Sequence, residues 1–401
     1  MRVNAPSFTV FRPPRRTLMG PGPSDVPERV LAATARPTIG HLDPAFVVMM
    51  EELKELLRYA FQTRNEVTFP ASAPGSVGME TCFVNLVEPG DTVIVCRNGV
   101  FGGRMVENVE RCGGTAVVVD DEWGRPVTTE KVEAALRANP AARVVAFVQA
   151  ETSTGVLTDP EPLVALAHQH GCLAIVDTVT ALGGCAVKVD EWDIDAVYSG
   201  SQKCLSVPPG LAPVSFNDAA LAKVRARTRR CQSWFMDLDL VLSYWGASTR
   251  TYHHTAPVNA LYGLHEGLLM LAEEGLEAAW ARHLHNHRAL VAGLEAMGLA
   301  LLVEPRYRLP QLNLVVVPVG IDEATVRARL LDEFDLEVGA GLGPLAGKVW
   351  RVGLMGYASR PENVLLCLHG FEQTLGELGF PAPVGAAELA ARDVLEAGPP
   401  A

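Results

Sequence analysis

No two of the eight cysteines lie within five residues of each other, so the chain has no CxxC pair for structural zinc or dithiol exchange. No apolar run reaches the ~18 residues needed to cross a bilayer. Basic residues are scarce: Lys+Arg 34 against Asp+Glu 46 leaves a net charge of −12. That excludes a general nucleic-acid binder, which needs a cationic footprint to neutralise phosphates, though not a local cationic pocket. A GxGxxG fingerprint is missing, and no acid sits where a ribose would need one, which counts against a nicotinamide enzyme. Internal repeats and Gly- or Ser-rich linkers are missing too.

What is present is a globular composition, 401 residues with 48% hydrophobic and 20% charged. At ~100–200 residues per domain, that length reads as two or three domains. Cysteines such as Cys96, inside the apolar run TVIVC, read as small buried hydrophobes, and a reduced, cytoplasmic protein is the expectation. The first 24 residues carry Arg2, Arg12, Arg15 and Arg16 and no acid. Pro6, Pro13 and Pro14 break any amphipathic helix there, so residues 1–18 read as an N-terminal arm lying on a partner subunit rather than a transit peptide. The C-terminal AGPPA is of low complexity, and 386–401 reads as a flexible tail.

From about residue 65 to 216, β-branched runs alternate with helical periodicity. Strands are expected at 92–96, 116–120, 143–149, 173–177, 195–199 and 211–216, with helices such as 129–138 and 160–170 between them. Near-continuous apolar strands separated by helices predict a mostly parallel α/β sheet covered on both faces. Ligands of such sheets bind beyond the carboxyl ends of the strands. After Ala256 a long helical region, 258–297, leads to strands at 312–318 and 349–354 and helices at 323–334 and 362–378. This texture predicts a smaller α+β unit, with a boundary near 275: a large domain over 19–275 and a small one over 276–385.

The chemistry is expected at the strand ends. Asp177 ends the run LAIVD, and Lys203 follows the run DAVYS by four residues, 26 after Asp177. Two parallel strands thus bring a carboxylate and a primary amine to one rim. The same pair could be a structural ion pair with Lys203 reaching solvent. However, Lys203 lies between small residues and the rigid Pro208-Pro209-Gly210 turn. A lysine held there, partly desolvated, becomes a neutral nucleophile toward an aldehyde. An aspartate facing a pyridine nitrogen would keep it protonated, the condition under which pyridoxal phosphate works as an electron sink. The segment Ala71–Glu80 places small residues before a helix running to about Val87, leaving backbone N–H groups for a phosphate; alone, this is a weak signal.

The string SGSQKCLSVPPG (199–210) resembles the lysine loop of the fold-type I, class V pyridoxal-phosphate aminotransferases, closest to the alanine–glyoxylate (serine–pyruvate) type. MGPGPS (19–24), FQTRN (61–65), VNLVEPGD (84–91), ETSTGVL (151–157), YHHTAPV (252–258) and GLGPLAGKVWRVGLMG (341–356) agree with it, so the likeness runs from about 17 to 378. It implies a seven-stranded, mostly parallel sheet in the large domain, a homodimer with shared active sites, and small amino acids and 2-oxo acids as substrates. Lys203 would join the cofactor aldehyde and carry the substrate proton. Asp177 would pair with the ring nitrogen, Val179 and Phe101 would flank the ring, and Thr152 would bond its phenolic oxygen. Gly75, Ser76 and Gln202 would hold the phosphate, with Tyr252 and Thr255 reaching it from the neighbouring subunit. Arg351, in KVWRVGL, would clamp the substrate carboxylate.

Two positions depart from the family pattern. Many relatives carry Trp or Tyr where this chain has Phe101. Where relatives carry a Ser-Gly-His or Gly-Thr-Gly-like stretch, this chain reads Pro74-Gly75-Ser76, and proline brings neither an N–H nor a hydroxyl. One phosphate donor is therefore expected to be missing.

Competing readings remain. A class V aminotransferase or lyase acting on a different amine fits the same frame. A desulfurase would need a cysteine on a mobile loop of the C-terminal half; none lies between Cys231 and Cys367, and Cys367 falls in a predicted helix. A catalytically silent homologue would be expected to have lost Lys203 or Asp177. No metal site is expected: His253 and His254 should point apart in an extended segment, and His283, His285 and His287 should form a solvated helix surface. Trp234, Phe235, Tyr244 and Trp245 read as packing.

Overall fold

The computed structural model describes residues 5–246 and 250–398. Its centre is a seven-stranded sheet in the order Val67–Ala71, Ala212–Phe216, Ala196–Tyr198, Leu173–Asp177, Ala142–Val148, Thr92–Arg97, Thr115–Asp120. Only Ala212–Phe216 runs antiparallel to its neighbours; the other pairings are parallel. The central strands are buried along nearly their whole length, as expected for a sheet covered on both faces. Register aligns Val148 with Asp177 and Asp177 with Tyr198. Three consecutive carboxyl-terminal strand ends therefore meet at one point.

The C-terminal part holds a three-stranded antiparallel sheet, Leu312–Val316, Val349–Gly353, Gly339–Ala340. Around it lie the helices Leu276–Ala296, Glu323–Phe334, Pro361–Glu377 and Ala386–Glu396. The apolar side chains form two cores, one around the large sheet and one built on Leu290, Leu330, Trp350, Val352 and Phe371. Met19 belongs to the second core although it precedes the large sheet in sequence. The helical region expected over 258–297 is two helices, broken at Gly275, whose φ of 87° suits glycine.

Several expectations are corrected. Residues 386–396 are not an irregular tail but a helix with Ala387 and Ala391 fully buried against the second core; of the C-terminal stretch, 399–401 lie outside the described residues, as do 1–4 of the arm. The end of that arm is tied to its own chain: Thr17–Leu18 pairs in parallel with Leu336–Glu337, and Arg16 bonds Asp335. His283 and His287 are buried, because positions four apart share one helix face and that face is turned inward. His283 donates from Nδ1 to the Ala279 carbonyl and accepts at Nε2 from Gly356 N–H, 2.9 Å; burial pushes it down to about 3. His253 and His254 do not point apart: their Nδ1 atoms are 2.8 Å from each other, with His253 stacked on Trp234 at 4.5 Å. Trp245 packs on Phe69, whereas Trp234 is exposed.

Candidate active site

At the meeting of the strand ends lies a cavity of about 200 Å³ lined by Gly75, Ser76, Phe101, Thr152, Asp177, Val179, Gln202 and Lys203, eight of the residues singled out in the sequence. Asp177 is its floor. The carboxylate accepts from Val179 N–H at Oδ1 and from Tyr198 O–H at Oδ2, both 2.8 Å. Burial dominates and raises it to about 7, while those two bonds pull it back. A cation brought against this carboxylate would therefore be strongly favoured.

Lys203 enters from the loop after Ala196–Tyr198. Burial lowers its ammonium to about 8, with Arg351 and Arg104 acting in the same direction and Asp177 opposing. The loop is overlain by the segment 19–24. Lys203 Nζ donates to the Pro21 carbonyl, Ser24 O–H donates to the Lys203 carbonyl at 2.7 Å, and Ser24 N–H to that of Gln202 at 3.0 Å. Gly22, at φ 103°, sits where a side chain would be strained, and a Cβ there would push the end of the Lys203 side chain aside, so conformation favours glycine.

The buried amine sets a pH dependence. Below about 8 both folded and unfolded chains carry the charged lysine, and the folded chain bears the full desolvation cost. Between about 8 and 10.5 the unfolded chain holds the extra proton, so stability rises with pH and the cost disappears. Lys203→Met should thus stabilise the cofactor-free chain at pH 7 by about 2–3 kcal/mol, the gain vanishing above about pH 10.5. Urea unfolding of both proteins across that range checks it.

The helix Gly75–Leu86 starts on the cavity with Pro74 as its N-cap and no side-chain cap. Its first N–H groups have no intrahelical partner. A Cβ on Gly75 would sit 3.4 Å from both the Ser199 carbonyl oxygen and Val179 Cγ2, so the helix end is drawn close to the strand ends. Gln202 Oε1 is buried in the wall without any partner, an amide waiting for a polar ligand. Phe101 and Val179 supply apolar walls. An anionic aromatic aldehyde meets each of these requirements at once, and the residues fit pyridoxal phosphate.

Arg351 does not line the cavity but lies beside it, at the centre of the three-stranded sheet. Its Nε donates to the Ala340 carbonyl at 2.6 Å, and Nη1 lies 3.5 Å from the carbonyl of Thr152. Burial lowers its guanidinium to about 10, and Glu151 opposes that. Tyr252 and Thr255 are exposed on the surface and outside the cavity. Met79, Arg104 and Tyr198 are among the cavity residues not singled out from the sequence, and Glu151, beside the cavity, is another. Tyr198 carried a signal in hindsight, since it ends the strand whose register meets Asp177. A larger groove of about 770 Å³ runs past Asp121, Lys131 and Arg306, but its cations are already matched, Lys131 by Asp121 and both Arg125 and Arg306 by Glu304.

Comparison with known proteins agrees with this geometry. The family described as Aminotransferase class-V matches residues 18–361. Alanine–glyoxylate aminotransferase of Oryctolagus cuniculus is 40% identical over 88% of this chain and 90% of its own. The solved ureidoglycine–glyoxylate aminotransferase of Bacillus subtilis superposes with a TM-score of 0.94 at 40% identity, covering 96% of this chain and 99% of that one. Alanine–glyoxylate aminotransferase from Nostoc sp. gives 0.90 at 43% identity, with 92% and 97% covered. The chain belongs to the class-V aminotransferases, with the fold-type I architecture, and is a pyridoxal-phosphate-dependent enzyme.

Proposed function

We propose that this class-V aminotransferase moves the amino group of a small amino acid, alanine or serine, to glyoxylate or pyruvate in two half-reactions at one site. The observation that carries the reading is the pairing of a buried amine, Lys203, with a buried carboxylate, Asp177, in one small cavity with a guanidinium alongside. Pyridoxal phosphate, when bound, supplies the aldehyde that captures the amine and the electron sink for the α-carbon's electron pair.

Asp177, its own orientation fixed by Val179 N–H and Tyr198 O–H, would hold the proton on the cofactor's ring nitrogen. Phe101 and Val179 would flank the ring, Thr152 would bond its phenolic oxygen or nearby atoms, and Gly75, Ser76 and Gln202 would hold the phosphate, without help from Pro74. Lys203 Nζ removes the proton from the donor's α-carbon and, in the other half-reaction, delivers one to the acceptor's α-carbon. With its ammonium lowered to about 8, part of the amine is neutral near pH 7–8 and able to act as base. The exposed Tyr252 and Thr255 serve the phosphate of a neighbouring subunit in a cytoplasmic homodimer; their distance from their own cavity supports this. The chain divides into a large domain over 19–275, which carries the cofactor, and a small one from 276 onward, which takes in the helix Ala386–Glu396 and carries the clamp.

Arg351 forks onto the substrate carboxylate through two parallel hydrogen bonds. Arg351→Ala should raise KM for glyoxylate about a hundredfold with a smaller change in kcat. Steady-state kinetics with KM within about threefold of the parent would refute the clamp.

A second donor is favoured by one observation, the 0.94 TM-score to a protein named for ureidoglycine. Single-turnover mixing separates the two: loss of the visible cofactor band is followed with alanine, serine and (S)-ureidoglycine, then its recovery with glyoxylate and pyruvate. If no amino donor bleaches the band, the transaminase reading is wrong.

A further inference from the structure

Glu151 plays no part in the reading above, yet it is fully buried two residues from the cavity wall formed by the strand Ala142–Val148 and next to Thr152. Its two oxygens are divided between two elements. Oε1 accepts from Ser153 N–H at 3.0 Å and Ser153 O–H at 2.6 Å. Oε2 accepts from the N–H groups of Phe101 and Gly102, at 3.1 and 3.4 Å. Ser153 Oγ in turn accepts from Val100 N–H at 2.9 Å. The first three N–H groups of the helix Val100–Arg111 therefore end on Glu151 and Ser153.

That helix has no side-chain cap of its own: its N-cap is Gly99, where a Cβ would run into Glu151 and Ser153. Capping of this kind is usually supplied by an exposed Ser, Asp or Asn at the N-cap itself. Here it comes from a remote carboxylate taken wholly out of water, a costly placement. The first turn so held is the one that presents Phe101 to the cavity.

We infer that Glu151 is a positioning residue for this site: its carboxylate, together with Ser153, holds the first turn of the helix Val100–Arg111 and so fixes the Phe101 wall of the cavity. This rests on the role given above to Phe101.

The test uses the cofactor-loaded protein and reads two quantities, the circular dichroism of its visible cofactor band and the rate of cofactor release. Glu151→Gln keeps the shape but removes the charge that holds the N–H groups of Phe101 and Gly102. With the ring wall loosened, the dichroic band should weaken about threefold and the cofactor should leave about tenfold faster. Ser153→Ala leaves the charge and removes two bonds, so it should move both readouts the same way by a smaller factor. If Glu151→Gln folds and both readouts match the parent, the inference is overturned. If it does not fold, unchanged cofactor release in Ser153→Ala overturns it. A parent with no visible cofactor band means that the reading of the site itself fails, whereas a normal band in the parent that Glu151→Gln reproduces means only the role of Glu151 fails.

Discussion

Replacing Lys203 by alanine is expected to lower turnover roughly ten-thousandfold, since it removes both the attachment point for the cofactor and the base that handles the substrate proton. The fold should survive, because the change relieves a buried amine rather than breaking a packed contact. The effect therefore belongs to chemistry rather than stability, and an unfolding midpoint of the cofactor-free variant no lower than the parent's would establish that. A small primary amine in solution should restore part of the rate, since the deleted side chain leaves a void open to the cavity. Borohydride reduction followed by peptide mass measurement should add the cofactor's mass to the peptide holding Lys203 in the parent and not in the variant. Substantial turnover by the variant without added amine would refute the assignment.

Asp177→Asn is expected to cost about a thousandfold in kcat with little change in fold. Asparagine has the same size and can still accept from Val179 N–H or Tyr198 O–H. What it lacks is charge. In the cofactor-free protein the carboxyl titrates at about 7 because burial outweighs its two hydrogen bonds, so it is poised to become fully ionised when a cationic ring nitrogen settles against it. An amide offers that nitrogen no reason to hold its proton, and the electron sink weakens accordingly. A loss of less than about tenfold in pre-steady-state bleaching of the cofactor band would show that the carboxylate does not serve the ring.

Much of this was legible in the chain because it depends on local rules. Strand ends at 177 and 199 follow from apolar runs, the second falling at 198 in the structure, and a helix opening within Ala71–Glu80 follows from small residues before a periodic stretch. The parallel sheet then carries the aspartate and the lysine to one edge without further information. The residues that sequence reasoning missed act across the fold. Tyr198 reads as an ordinary apolar strand residue until register sets it beside Asp177. Glu151 reads as an acid after a strand, and only the return of the helix Val100–Arg111 onto it reveals its function as a cap. The errors share a cause as well. His283, His285 and His287 read as a solvated surface because alternating helix positions cannot form one ligand face, whereas packing turns the face with His283 and His287 inward.

The segment 19–24 has a consequence for selectivity. It crosses above Lys203 and is anchored at both ends: Ser24 bonds the lysine loop, while Gly353 N–H donates to the Met19 carbonyl at 2.7 Å and Met19 is embedded among the side chains of the second core. The ceiling over the amine is thus a strap that spans both cores. A donor with a bulky side chain would have to lift that strap from one of its two anchors. Discrimination against large amines would then be paid in separated hydrophobic surface rather than in lost contacts, and it should ease when that ceiling is loosened.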